Sequence, residues 1–298
     1  MRPFHRRPAS ACALALAVVL AGCTLEHHMK FDRIEYQYAA SMAGANTLTV
    51  HADGRARYES HTSGAEPQIG RYETQLAPAE IEALDRAIAD PPLSGLRDHA
   101  GRVRAGDRYT RVRMTLGATT IDKMVGTREP VDAGLGRVID SLKAIIDKVM
   151  RHPREVLRMD ASALAVDRHA TLTATLRFSN PGAQPIAWLP PSGHLTLRAW
   201  PDKPVADFVP GDLFELRGAQ LSCVAATPGA PAALAHLAPG GEAVYQVSAT
   251  LAPRAPGIHA IQLIYENTDE QVDAQPVLVG QISAPTVKLE LAATAKPR

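Results

Sequence analysis

Aromatic residues, cysteine and charge of a single sign are all scarce in this sequence. Phe, Trp and Tyr make up 5% of its 298 residues, and only three cysteines are present. The 32 Lys and Arg are nearly cancelled by 31 Asp and Glu, leaving a formal charge of +1. That balance excludes a globally basic nucleic-acid binder. Three cysteines cannot build a dense disulfide framework. One unbroken apolar run, Ala11 to Leu20, is too short for an ordinary membrane-spanning helix, so a polytopic membrane protein is excluded. There is no His-Glu-x-x-His, no Cys-x-x-Cys, no EF-hand loop, no Gly-x-Ser-x-Gly elbow and no Ser-x-x-Lys. Gly134 and Gly136 lie inside a helical pattern with no preceding strand and turn, which is not a dinucleotide-binding loop. No cofactor, metal or catalytic residue is therefore expected, and the chain is read as non-enzymatic. What remains is 46% hydrophobic, an ordinary globular composition of one or two domains.

The N-terminus is informative. Arg2, Arg6 and Arg7 precede the apolar run, which ends in Leu20-Ala21-Gly22-Cys23. A basic segment followed by a short apolar one is a secretory signal. With its closing four residues it resembles the lipobox of bacterial lipoproteins. The resemblance implies cleavage before Cys23 and a diacylglyceryl group on its sulfur. Thr24, rather than Asp, follows the cysteine, which implies an outer-membrane lipoprotein facing the periplasm. Two or more acyl chains anchor a protein stably without spanning the bilayer. Ordinary cleavage near Ala21, leaving Cys23 unmodified, is the alternative. Loss of residues 1–22 removes three Arg and no acid, so +1 becomes −2. Cys12 leaves with the signal and Cys23 is lipidated. Cys223 is then a lone thiol, read as a small buried hydrophobe and not as a nucleophile.

Residues 23–30 form a tether of at most about 25 Å beyond the cysteine. Residues 31–157 read as an α+β domain, an antiparallel sheet with two helices. Alternating stretches fall at Phe31 to Ala40, Leu48 to His51, Arg55 to Ser60, Gln68 to Leu76, Tyr109 to Leu116 and Thr119 to Val125. Asp53-Gly54 reads as a primed hairpin turn. Pro78 opens a first helix with Ile81, Leu84 and Ile88 on one face. A second runs over about 131–151 with the stripe Leu135, Val138, Ile139, Leu142, Ile145, Ile146 and Val149. Its two glycines weaken helix propensity and move the expected start towards Arg137.

Residues 160–292 read as all-β, with seven or more short strands, and 293–298 as a tail. Leu176 to Asn180 followed by Gln184-Pro185-Ile186, then Leu237 to Gly241, Ala255 to Ile258 and Leu263 to Tyr265, resemble bacterial Ig-like modules and the intracellular proteinase-inhibitor fold of bacilli. The resemblance implies an Ig-like β-sandwich. It carries no inhibitory activity, because no reactive loop matches.

Three clusters are candidates for binding. Arg102, Arg104, Arg108, Arg111 and Arg113 make an anionic-surface patch for lipid headgroups or a polyanionic glycan, or simply a loop and the wet face of a strand. Asp269, Glu270 and Asp273 offer oxygen ligands to calcium, or form a solvated hairpin tip. Trp188 and Trp200 form a sugar platform or belong to a core. The expected partners are the lipid bilayer, through the acyl anchor, and an envelope protein. Nucleic acid is not among them. The expected function is a membrane-anchored periplasmic lipoprotein acting as a non-catalytic protein-interaction or envelope-assembly module. The alternatives are a glycan- or small-ligand-binding lipoprotein and a periplasmic hydrolase whose site is assembled from scattered residues.

Overall fold

The computed structural model describes residues 31–41, 44–64, 66–89, 95, 109–126, 130–226, 234–251 and 257–291. In chain order the first half holds β1 (Arg33–Ser41), β2 (Gly44–His51), β3 (Arg55–Ser60), β4 (Gln68–Gln75), α1 (Pro78–Ala89), β5 (Tyr109–Leu116), β6 (Thr119–Gly126) and α2 (Ala133–Val149). The second half opens with β7 (Pro153–Val166), β8 (Thr171–Ser179), β9 (Ile186–Trp188), β10 (Leu195–Pro201), β11 (Phe214–Arg217) and β12 (Ser222–Ala225). It continues with β13 (Ala235–Leu237), β14 (Glu242–Thr250), β15 (Gly257–Asn267), β16 (Gln271–Val272), β17 (Gln275–Pro276), β18 (Gly280–Ser283) and β19 (Val287–Leu291). Among the described residues the chain is thus mostly antiparallel β-sheet with two helices.

Ten strands form one sheet in the order β12-β14-β8-β7-β4-β3-β2-β1-β5-β6. A second sheet has the order β11-β10-β15, and β18 and β19 line the far edge of β15 one after the other. Pro285 interrupts that edge, as proline does where a ladder needs an N–H. The ten-stranded sheet takes strands from both halves of the chain. Its join is the β4–β7 pair, with Ile69 opposite Leu157 and Arg71 opposite Glu155. β7 runs without a break through 157–160, where the sequence reading placed a boundary.

Two hydrophobic cores sit on opposite faces of this sheet. The first lies under α1 and α2 and receives Ile34, Tyr36, Leu48, Tyr58, Tyr72 and Val112. Successive side chains of a strand point to opposite faces, so Glu35, Arg57, Glu59, Arg71 and Arg113 emerge on the uncovered side. The second core lies on that other face, between the ten-stranded and the second sheet, around Phe178, Trp188, Tyr245 and Tyr265. β7 serves both: Val156 enters the first core, and the next residue, Leu157, enters the second. The segment His61 to Ser63 fastens the second sheet to the first half. Gln281 donates its N–H to the His61 carbonyl at 2.8 Å, and Ser63 donates to the Gln281 carbonyl at 3.0 Å.

Both helices follow their apolar stripes. α1 buries Ile81, Leu84 and Ile88. α2 buries the whole predicted set and starts at Ala133, ahead of the expected Arg137, because the Asp132 carboxylate caps it by accepting from the Gly134 N–H at 2.8 Å. Three local readings differ from expectation. Phe31 precedes β1 and is buried, although its spacing groups it with Arg33 and Glu35. Leu116, whose alternation with Val112 and Met114 predicts an inward side chain, ends β5 at 45% exposure. The β2–β3 turn has three residues, with only Gly54 at positive φ (87°), so it is not a two-residue primed turn.

Candidate functional site

Of the arginine cluster, Arg102, Arg104 and Arg108 lie outside the described residues, as does Cys23. Arg111 and Arg113 stand on β5, on the uncovered face of the sheet. Arg111 Nε donates to both Asp122 oxygens, at 2.8 and 3.1 Å. This contact is the main reason the Asp122 carboxyl is held below the ordinary carboxylate range. Arg113 is flanked by Glu35 on β1 and Asp122 on β6. The described part of the patch is therefore charge-compensated across neighbouring strands.

Asp269, Glu270 and Asp273 stand exposed around the β16–β17 hairpin. Asp273 and Ala274 take its left-handed positions, with φ of 50° and 64°. No three His, Cys, Asp or Glu side chains among the described residues are grouped to hold a metal. The functional residue of that segment is Asn267 in a structural sense: wholly buried, it donates to the Leu278 carbonyl at 2.7 Å and accepts from the Asp269 N–H at 2.9 Å. The sugar platform fails at one of its two rings: Trp188 is 0% exposed and packs on Phe178, with ring centroids 4.7 Å apart, whereas Trp200 on β10 is half-buried. Cys223 is a half-buried thiol on the edge strand β12, and desolvation pushes its pKa up to about 11.

The structure brings together a different set. On β3 and β4 the uncovered face carries Arg55, Arg57 and Glu59 beside Arg71 and Glu73, and β7 adds Arg154 and Glu155. Arg57 pairs with Glu59. Arg71 Nη1 lies 3.0 Å from Glu155 Oε2, and its Nε lies 3.6 Å from Glu59 Oε1. Arg154 Nε is 3.7 Å from Glu73 Oε2. A bulge in the β4–β7 register draws Arg154 onto this face. Gly70 makes the crossing possible: its φ is 140°, and a Cβ there would stand 2.1 Å from the Glu155 carbonyl oxygen.

Three half-open cavities follow one another along these strands. The first, about 410 Å³, is lined by His51, Arg55, Arg57, Glu73 and Arg154. The second, about 350 Å³, lies between Glu59, His61, Arg71 and the Glu270 to Val279 segment. The third, about 470 Å³, continues past Arg71 to Glu155, Ile186 and His236. The second and third adjoin, sharing Arg71, Val277 and Leu278, at the step where the second sheet ends and the bare face of the first begins. The first shares no lining residue with them and lies next along β3 and β4; the three are together termed the trough. Arg71 stands at the step and lines both the second and third cavities. Its Nε–H is buried with no hydrogen-bond acceptor among the described residues. The signal was present in the sequence as charges at alternate positions, Arg55-x-Arg57-x-Glu59 and Arg71-x-Glu73. It became a site only through the pairing of β3, β4 and β7.

No protein-family profile and no curated protein matches the chain. Similarity to solved structures is faint. AvmM, which catalyzes macrocyclization in alchivemycin A biosynthesis, matches at 12% identity and a TM-score of 0.26, over 49% of this chain and 92% of that one. The seventh PapD-like domain of human CEP192 matches at 16% identity and a TM-score of 0.22, over 44% and 84%. The fold is β-rich with a weak PapD-like neighbour, and neither likeness bears on activity.

Proposed function

We propose that this chain is a membrane-anchored periplasmic lipoprotein that serves as a non-catalytic protein-interaction or envelope-assembly module. Its two facing sheets, β12-β14-β8-β7 against β11-β10-β15, form on this reading an Ig-like β-sandwich. The anchor rests on the lipobox-like Leu20-Ala21-Gly22-Cys23. The observation that carries the binding role is the half-open trough, lined by guanidinium and carboxylate groups from β3, β4 and β7. It extends over several strands and suits an extended polar partner better than a small enclosed substrate.

Two measurements test the parts separately. Metabolic labelling with a clickable fatty acid is expected to mark the wild-type chain and not Cys23→Ser; an unlabelled wild type would remove the anchor. Affinity purification from crosslinked envelopes is expected to recover one partner with the wild type and lose it with Arg57→Glu/Arg71→Gln at equal expression. Recovery that is indifferent to those substitutions would place the interaction elsewhere and sink the trough as its seat.

A further inference from the structure

We infer that the trough recognises an extended peptide segment of mixed charge, with an acidic group at one end and a basic group about four residues away. This rests on the binding role proposed above and names its ligand. The sign of the lining changes along β3. The cavity at the start of the strand is lined by three guanidinium groups, Arg55, Arg57 and Arg154, against one carboxylate, Glu73. The cavity at its end is lined by two carboxylates, Glu59 and Glu270, against one guanidinium, Arg71. Glu270 is exposed and makes no ion pair among the described residues, so its charge is free for a ligand. The Arg57–Glu59 pair divides the two compartments.

A strand advances about 3.3 Å per residue, so Arg55 and Glu59 lie roughly 13 Å apart along β3, the reach of four residues of an extended ligand. A uniformly acidic or uniformly basic ligand meets one compartment of its own sign, where like charges are repelled. Beyond Arg71 the third cavity is lined by Pro185, Ile186, Pro276, Val277 and Leu278, which offers apolar surface to a side chain or backbone past the basic end. In the unliganded chain Arg55 holds Asp53, with Nε 2.7 Å from Oδ2, and Arg57 holds Glu59. These exposed pairs are weak, and the carboxylate of an acidic end takes their place through the paired N–H donors of the two guanidinium groups.

The test uses the whole mature chain from residue 23, carrying Cys23→Ser, and a blocked peptide of sequence Asp-Ala-Ser-Ala-Lys followed by NMR titration. Binding is expected to weaken about tenfold when Asp is replaced by Asn, when Lys is replaced by Gln, or when the two charges are made adjacent. Arg57→Gln and Glu270→Gln are expected to weaken binding to a similar degree. Glu270→Lys is expected to switch preference to Asp-Ala-Ser-Ala-Asp, a gain that a misfolded variant does not produce. Equal binding of all probes, or an unchanged preference in Glu270→Lys, would overturn the inference. If no peptide binds while the crosslinked partner is still lost with Arg57→Glu/Arg71→Gln, the mixed-charge peptide is wrong and the binding role survives. If the partner is indifferent to the trough and the peptides show no switch, both fall.

Discussion

Single side chains in this protein matter most where they end a strand or let one pass close to another. Asn180 is fully buried at the end of β8. It donates to the Gln184 carbonyl at 2.8 Å and the Leu237 carbonyl at 3.0 Å, and accepts from the Gly182 N–H at 2.9 Å. Asn180→Ala strands the buried Leu237 carbonyl, the part-buried Gln184 carbonyl and the Gly182 amide, so a loss of about 2–4 kcal/mol in urea unfolding is expected. Gly70→Ala is expected to cost at least about 3 kcal/mol, because the new Cβ collides with backbone and has no way to retreat. The Asp122 carboxyl, held low by Arg111, is a depressed group: its stabilisation is present above the unfolded pKa and is lost as pH falls through the folded one. Thermal melts of Asp122→Asn should therefore lie below the wild type at neutral pH, by a small margin because the pair is about a third exposed, and should converge with it as pH falls through the folded pKa. The Asn180 motif was visible in the sequence as a strand followed by Asn and Gln-Pro-Ile. Its reason was not, because the partner Leu237 lies 57 residues away.

Elements were legible in proportion to how simply each was buried. α2 packs against a single core, so its apolar spacing stood out and every predicted stripe residue is buried. Leu142→Ala on that face is expected to destabilise by about 3 kcal/mol through transfer loss and a residual cavity, measurable as a shift in denaturant midpoint. β5 and β8 bury one face each and alternated cleanly. β7 did not read as a strand. Val156 and Leu157 are both fully buried, one in each core, which breaks the period of two that identifies a half-buried strand. β12 was missed because it has four residues and Val224 is 61% exposed. The trough was illegible for a related reason. Charges at alternate positions on one strand announce a wet face, and only strand order shows which charges on β3, β4 and β7 come together.

At the scale of the whole molecule, the β4–β7 ladder and the His61–Gln281 contacts join the two cores. A single cooperative unfolding transition is expected, with calorimetric and van't Hoff enthalpies in agreement; two resolved transitions would show the cores to be independent. Residues 31–157 expressed alone would keep only a stub of β7 and expose the edge of β4. That fragment is expected to aggregate or to lose the dispersed amide NMR spectrum of the full chain, as unpaired edges do.

The helices cover one side of the ten-stranded sheet at one end, and the second sheet covers the opposite side at the other end. The two bare areas are therefore displaced along the sheet and look in opposite directions. One holds the trough. The other holds Thr175, Arg177, Glu242 and Gln246, whose side chains link β8 to β14 in the open. A body seated in the trough casts no steric shadow on that second area. The molecule has the geometry of a two-sided bracket, able to hold something on each side at the same time without the two occupants meeting.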